Sequence, residues 1–167
     1  MDVYQYMRAI SAGIQEFIEA LTFYEYLSKE NAKLSDWNEI QNRMCYENEE
    51  ATGKSIKLHL EPCEYILGLA DLTGEVMRNC INSLGSSDTE KCYETCKFLQ
   101  SIYSKFLTIR APANRGRDFS QKMSTMRAST MKCENVCYNL KVRGTEGSNM
   151  MSFEAVQVDD HVDEGFF

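Results

Sequence analysis

A chain of 167 residues that is 43% hydrophobic is long enough to bury one core, so a single domain is the default expectation. Its net charge of −7 argues against indiscriminate nucleic-acid binding, and no run of about 18 apolar residues offers a membrane span. Only 2 prolines and 9 glycines interrupt it, which favours an all-α fold.

The opening MDVYQYMRAISAG has no basic stretch followed by an apolar run, so it does not read as an export signal. A first helix is expected from Val3 to Lys29, with a break at Ser11-Ala12-Gly13. It carries Glu16 and Glu19 three residues apart among Phe17, Ala20, Leu21, Phe23, Tyr24 and Leu27. Apolar on nearly every side, it predicts burial on several faces. A second helix is expected to start at Ser35 as N-cap, with Trp37, Ile40 and Met44 at helical spacing. The polar stretch from Glu47 to Lys57 reads as a loop. A third helix is expected from Glu61-Pro62 to near Gly85, where Gly-Ser-Ser-Asp supplies a C-cap, a loop and the next N-cap. A fourth runs from about Thr89 to Leu107, Pro112 and Gly116 mark a loop, and a fifth runs from Arg117 to Val142. After Gly144 periodicity is lost, so 1–144 reads as the helical domain and 145–167 as an acidic, flexible tail.

The third helix is the most informative. At about 100° per residue, Tyr65, Leu69, Leu72, Val76, Met77, Cys80 and Leu84 cover a wide arc. Opposite them lies a narrow stripe of Glu64, Gly68, Asp71, Glu75, Arg78 and Asn82. Asp71 and Glu75, one turn apart, repel unless solvent, a cation or a base compensates. Gly68 removes side-chain bulk and would let a substrate backbone approach, and Arg78 could pair with Glu75 or meet a phosphate. Buried carboxylates are costly unless paired or metal-bound. If the first and third helices pack together, Glu16, Glu19, Asp71 and Glu75 could converge into an all-oxygen site suited to Mg2+ or Mn2+. The bland alternative is a pair of solvated acidic faces.

Other chemistries fare worse. A di-iron bundle needs Glu-x-x-His motifs, and neither His59 nor His161 follows a glutamate by three. No phosphate-cradling glycine loop occurs, and nothing supports a cysteine–histidine nucleophile. The 7 cysteines form an odd set that reads as reduced thiols. The spacing of Cys92/Cys96 and Cys133/Cys137 admits a four-thiolate zinc site, but plain core packing is the favoured reading. From Lys105 to Arg143 there are nine bases (Lys105, Arg110, Arg115, Arg117, Lys122, Arg127, Lys132, Lys141, Arg143) against two acids (Asp118, Glu134). That segment carries +7 and the remainder −14, so one stretch could face phosphates although the whole is acidic.

Three stretches resemble the translin family, in its Trax branch: EYILGLADLTGEVMRNCINSLGSSD (Glu64 to Asp88), CENVCYNLKVRGTE (Cys133 to Glu146) and GIQEFIEALTFYEYL (Gly13 to Leu27). The likeness covers most of residues 2 to 146. It implies an all-helical fold, normally part of a hollow hetero-oligomer with translin, which supplies much of the RNA binding. It implies the endoribonuclease called component three promoter of RISC, which removes passenger-strand fragments during RNA silencing and trims transfer-RNA precursors. By motif the catalytic acids fall on Glu16, Glu19, Asp71 and Glu75, with Glu19 and Glu75 as magnesium ligands. Arg78, Arg115, Arg117 and Lys122 are the expected contacts to single-stranded RNA, with single-stranded DNA as a further ligand. The resemblance also implies residence in both cytoplasm and nucleus, and no membrane partner. Measured against the family pattern, the sequence is expected to lack the first helices and the basic N-terminal region. The rival reading is a non-catalytic partner of translin that binds nucleic acid or protein.

Overall fold

The computed structural model describes residues 6–28, 34–47, 55–84, 89–113 and 115–143. Among them form α1 (Met7–Ser28), α2 (Trp37–Arg43), β1 (Cys45–Glu47), β2 (Ser55–Lys57), α3 (Pro62–Ser83), α4 (Thr89–Phe106) and α5 (Gly116–Arg143). The fold is helical as the sequence predicts, with one short hairpin added. The acidic stretch 145–167 lies outside the described residues.

Three local details depart from the sequence reading. Helix α1 runs unbroken through Ser11-Ala12-Gly13. A lone glycine in a helix costs about 1 kcal/mol relative to alanine, and neighbouring buried residues such as Ile14 and Ile18 hold the turn in place. The N-cap of α2 is Asp36, not Ser35. Asp36 accepts from the Glu39 amide at 2.9 Å while Glu39 accepts from the Asp36 amide at 2.8 Å, a reciprocal capping box. Ser35 is occupied elsewhere, donating its hydroxyl to buried Glu25 at 2.6 Å. At the two ends of the stretch read as a loop, β1 and β2 pair antiparallel with Tyr46 opposite Ile56. A two-stranded hairpin is marginal alone. Here Gln41 stands in for a third strand, donating to the Leu58 carbonyl and accepting from the Leu60 amide, each at 2.8 Å.

The helices group into two compact units, one within 1–72 and 112–122 and the other within 73–111 and 123–167. The continuous helices α3 and α5 contribute a segment to each. In the first unit Ile14, Ile18, Ile40, Met44 and Leu60 form the buried cluster, with Ile10, Leu21, Trp37, Leu58 and Tyr65 packed against it. Trp37 keeps its indole N–H satisfied by donating to the Leu60 carbonyl at 3.2 Å. In the second unit the buried positions include Val76, Met77, Leu84, Leu99, Met126, Val136 and Leu140, together with five cysteines. The expected all-round burial of α1 is only partly realised, since Phe17, Tyr24 and Leu27 are exposed. No described helix is long and apolar enough to cross a membrane.

Candidate functional site

In the first unit α1 and α3 run in the same direction and touch at Gly68. A Cβ placed on Gly68 would stand 2.8 Å from the Ile18 Cβ and 2.9 Å from the Gln15 carbonyl oxygen. Only a hydrogen fits there. Gly68 therefore admits the neighbouring helix, where sequence reasoning assigned it to a substrate backbone. The contacts climb both helices together, with Ser11 and Gln15 meeting Glu64 and Ile18 meeting Gly68.

The polar stripe of α3 is thus packed against polar positions of α1 and the start of α5. Glu64 is 1% exposed. Its carboxylate accepts from the Ser11 hydroxyl at 2.8 Å and from the Gln15 amide, and it pairs with the Arg115 guanidinium. A buried charge is tolerated only when paired and hydrogen-bonded in this way. Arg115 also donates to Asp118 at 2.9 Å and to the Ser11 hydroxyl at 2.6 Å. Burial pulls its pKa down, but the bond to Asp118 and the charges of Glu64 and Asp118 outweigh that and hold it above its ordinary value. Lys122 directs its ammonium at three oxygens: Gln15 Oε1 at 2.8 Å, the Leu67 carbonyl at 3.3 Å, and the Asp71 carboxylate. Three donors meet three acceptors, and all of the acceptors are hard oxygen.

The predicted site residues are placed as follows. Glu16 is exposed on α1 and Glu19 half-buried. Asp71 is half-buried and bound by Lys122. Glu75, one turn further along α3 and belonging to the second unit, pairs with Arg78. The structure thus sets a base against each of Asp71 and Glu75. Of the predicted RNA contacts, Arg115 and Lys122 spend donors inside the network, whereas Arg78 and Arg117 are exposed. Among the described residues the side chains gathered to within 4.8 Å by their ligating atoms are Cys96, Cys133 and Cys137.

Sequence reasoning passed over Ser11, Gln15 and Asp118, and kept Glu64 as a stripe member without a role. The available signal was position: Glu64 lies four residues before Gly68 and seven before Asp71, so it shares their face. It also passed over Glu25, 5% exposed, which accepts from the Ser35 amide at 2.8 Å and pairs with Arg43 at 3.3 Å. That carboxylate ties the segment before α2 to α1.

Residues 1–144 match the model of the translin family. The chain belongs to the translin family. It is similar to translin-associated protein X of Pongo abelii and of Mus musculus, at 37% identity over 161 residues in each, covering 87% of this chain and 53% of the relative. The homolog of that protein in Schizosaccharomyces pombe is 26% identical over 140 residues, covering 83% of this chain and 54% of the relative. The chain spans about half the length of these curated relatives. The residues that match the family include the α1–α3 crossing and every acid and base placed above.

Proposed function

We propose that this translin-family chain is the carboxylate-bearing subunit of a magnesium-dependent endoribonuclease, formed with translin, that hydrolyses single-stranded RNA in cytoplasm and nucleus. Its roles are passenger-strand removal during RISC activation and transfer-RNA precursor processing. Glu16, Glu19, Asp71 and Glu75 form the catalytic set. The observation that supports the proposal is the glycine crossing, which packs α1 directly against the α3 stripe to which Asp71 belongs. The donor chemistry fits a hard cation, because the side chains at issue are carboxylates and the oxygens around Lys122 already hold a positive charge. Glu19 and Glu75 would hold Mg2+ or Mn2+, and a bound ion of this kind lowers the pKa of water and neutralises charge developing on a phosphate. Lys122 keeps Asp71 oriented and partly neutralised beforehand. Arg78 and Arg117 supply phosphate contacts, while Arg115 and Lys122 reach RNA only by releasing their carboxylates. Single-stranded DNA, which presents the same phosphates, is a further ligand.

The test is co-expression with translin followed by RNA cleavage. Cutting should require magnesium or manganese, stop with chelator, and fall by a factor of about 100 or more in Glu75→Gln while RNA binding is retained. Full activity of Glu75→Gln, or cleavage in chelator, would overturn the mechanism. It would leave the second reading, a non-catalytic binding partner of translin, which the pairing of Asp71 with Lys122 and of Glu75 with Arg78 favours.

A further inference from the structure

Five buried cysteines converge in the second unit: Cys80 from α3, Cys92 and Cys96 from α4, and Cys133 and Cys137 from α5. All are reduced. The sulfurs of Cys96, Cys133 and Cys137 lie within 4.8 Å of one another. Cys133 Sγ is 3.7 Å from Cys80 Sγ, which in turn is 3.1 Å from Cys92 Sγ. The spacing of four on α4 and on α5 stacks two sulfurs of each helix one turn apart on a single face. Apolar packing alone does not require sulfur at adjoining points on three helices.

With zinc–sulfur bonds of about 2.3 Å, thiolates around one tetrahedral ion stand about 3.8 Å apart. The Cys80–Cys133 separation of 3.7 Å already matches that edge. The three edges among Cys96, Cys133 and Cys137 need to close by about 1 Å or less to reach it. We propose that Cys96, Cys133 and Cys137, with Cys80 beside Cys133 as fourth ligand, form a structural site for a single zinc-class ion. The donor set is all sulfur, which selects a soft or borderline cation and rejects the magnesium that suits the carboxylates of α1 and α3. Buried on three helices, the site is closed and has no open position for a substrate. Its work is to fasten α4, α5 and the later turns of α3 together.

Loading exchanges protons for metal: each thiol gives its proton to solvent as its sulfur bonds the ion. Occupancy therefore falls as pH falls.

The experiment uses the untagged full chain, kept reduced with a phosphine, titrated with Co2+ and then Zn2+. The expected result is one cobalt per chain with sulfur-to-cobalt charge-transfer absorption and tetrahedral ligand-field bands, bleached by one zinc. Protons should be released in step, and zinc should raise the melting temperature of the wild-type chain. The paired substitution Cys133→Ser/Cys137→Ser should abolish the bands, while Cys45→Ser/Cys63→Ser, outside the cluster, should retain them. Should the first pair not fold, the milder Cys96→Ser must weaken zinc binding at least tenfold. Absence of thiolate charge transfer, a wild-type melting temperature unmoved by zinc, or unchanged affinity in the cluster variants would each overturn the site.

Discussion

Replacing Gly68 by alanine tests the crossing on which the polar network depends. A new methyl carbon would stand 2.8 Å from the Ile18 Cβ and 2.9 Å from a backbone oxygen. Ordinary carbon contacts are about 3.5–4.0 Å, so α1 must retreat by about 1 Å. Neither obstacle is the end of a flexible side chain, so the strain resembles overpacking of a core, which costs about 1–3 kcal/mol. Alanine returns about 1 kcal/mol through its better helix propensity, leaving a net loss of up to about 2 kcal/mol. For a chain of this size each kcal/mol shifts Tm by about 2–4 °C. Gly74 is the matched control on the same helix, since a Cβ there meets nothing within 4 Å. Followed by circular dichroism on heating, Gly68→Ala should melt several degrees lower and Gly74→Ala slightly higher than the parent chain. If both substitutions stabilise to the same degree, α1 does not pass against Gly68.

Arg115→Met should destabilise by about 3–5 kcal/mol in urea unfolding, because it leaves a buried carboxylate without its cation; adding Glu64→Gln should restore a measurable part, and additive losses would contradict the pairing. Lys122→Met should cost little stability, within about 1 kcal/mol, because Asp71 and Lys122 are both partly exposed. In the translin complex that variant should need less magnesium for half-maximal cleavage, whereas a salt slope of RNA binding reduced by about 1 would make Lys122 a phosphate contact instead. The thiols set an alkaline limit in the metal-free chain. Cys80 and Cys137 titrate near 9.0 when unfolded and at about 12 when folded, so the folded state holds more protons in that window. Stability should be intact below pH 9 and fall as pH rises toward 12, and Cys80→Ala should flatten the fall. Pressure on this point comes from unfolding curves collected across that range, where a flat profile would contradict the burial of both thiols.

The helices were legible because each has a strong period and an identifiable stop. The stripe on α3 could be drawn from residue spacing alone, and it contains both Glu64 and Asp71. What spacing could not supply was the partner of each stripe residue, since a helical wheel shows which side chains share a face and says nothing of which helix covers it. Arg115 and Lys122 were read as part of a basic stretch available to phosphate, and the fold turns both inward onto α3. Local competition was equally hidden: Ser35 is a good capping residue by type, but a buried glutamate ten positions earlier takes its hydroxyl, and the cap passes to Asp36.

The same limit governs the two candidate metal chemistries. Spacing suggested a metal site for the carboxylates on α1 and α3, and favoured plain core packing for the thiols on α4 and α5. Carboxylates, being charged, demand compensation wherever they are half-buried, so the chain must provide bases at Asp71 and Glu75. Thiols are neutral until a metal or a base removes their protons, so they can be packed against one another without any such partner. An ion added to the first set therefore has to compete with lysine and arginine, and an ion added to the second competes only with protons. Magnesium dependence should accordingly respond to substitution of Lys122, and zinc dependence to pH.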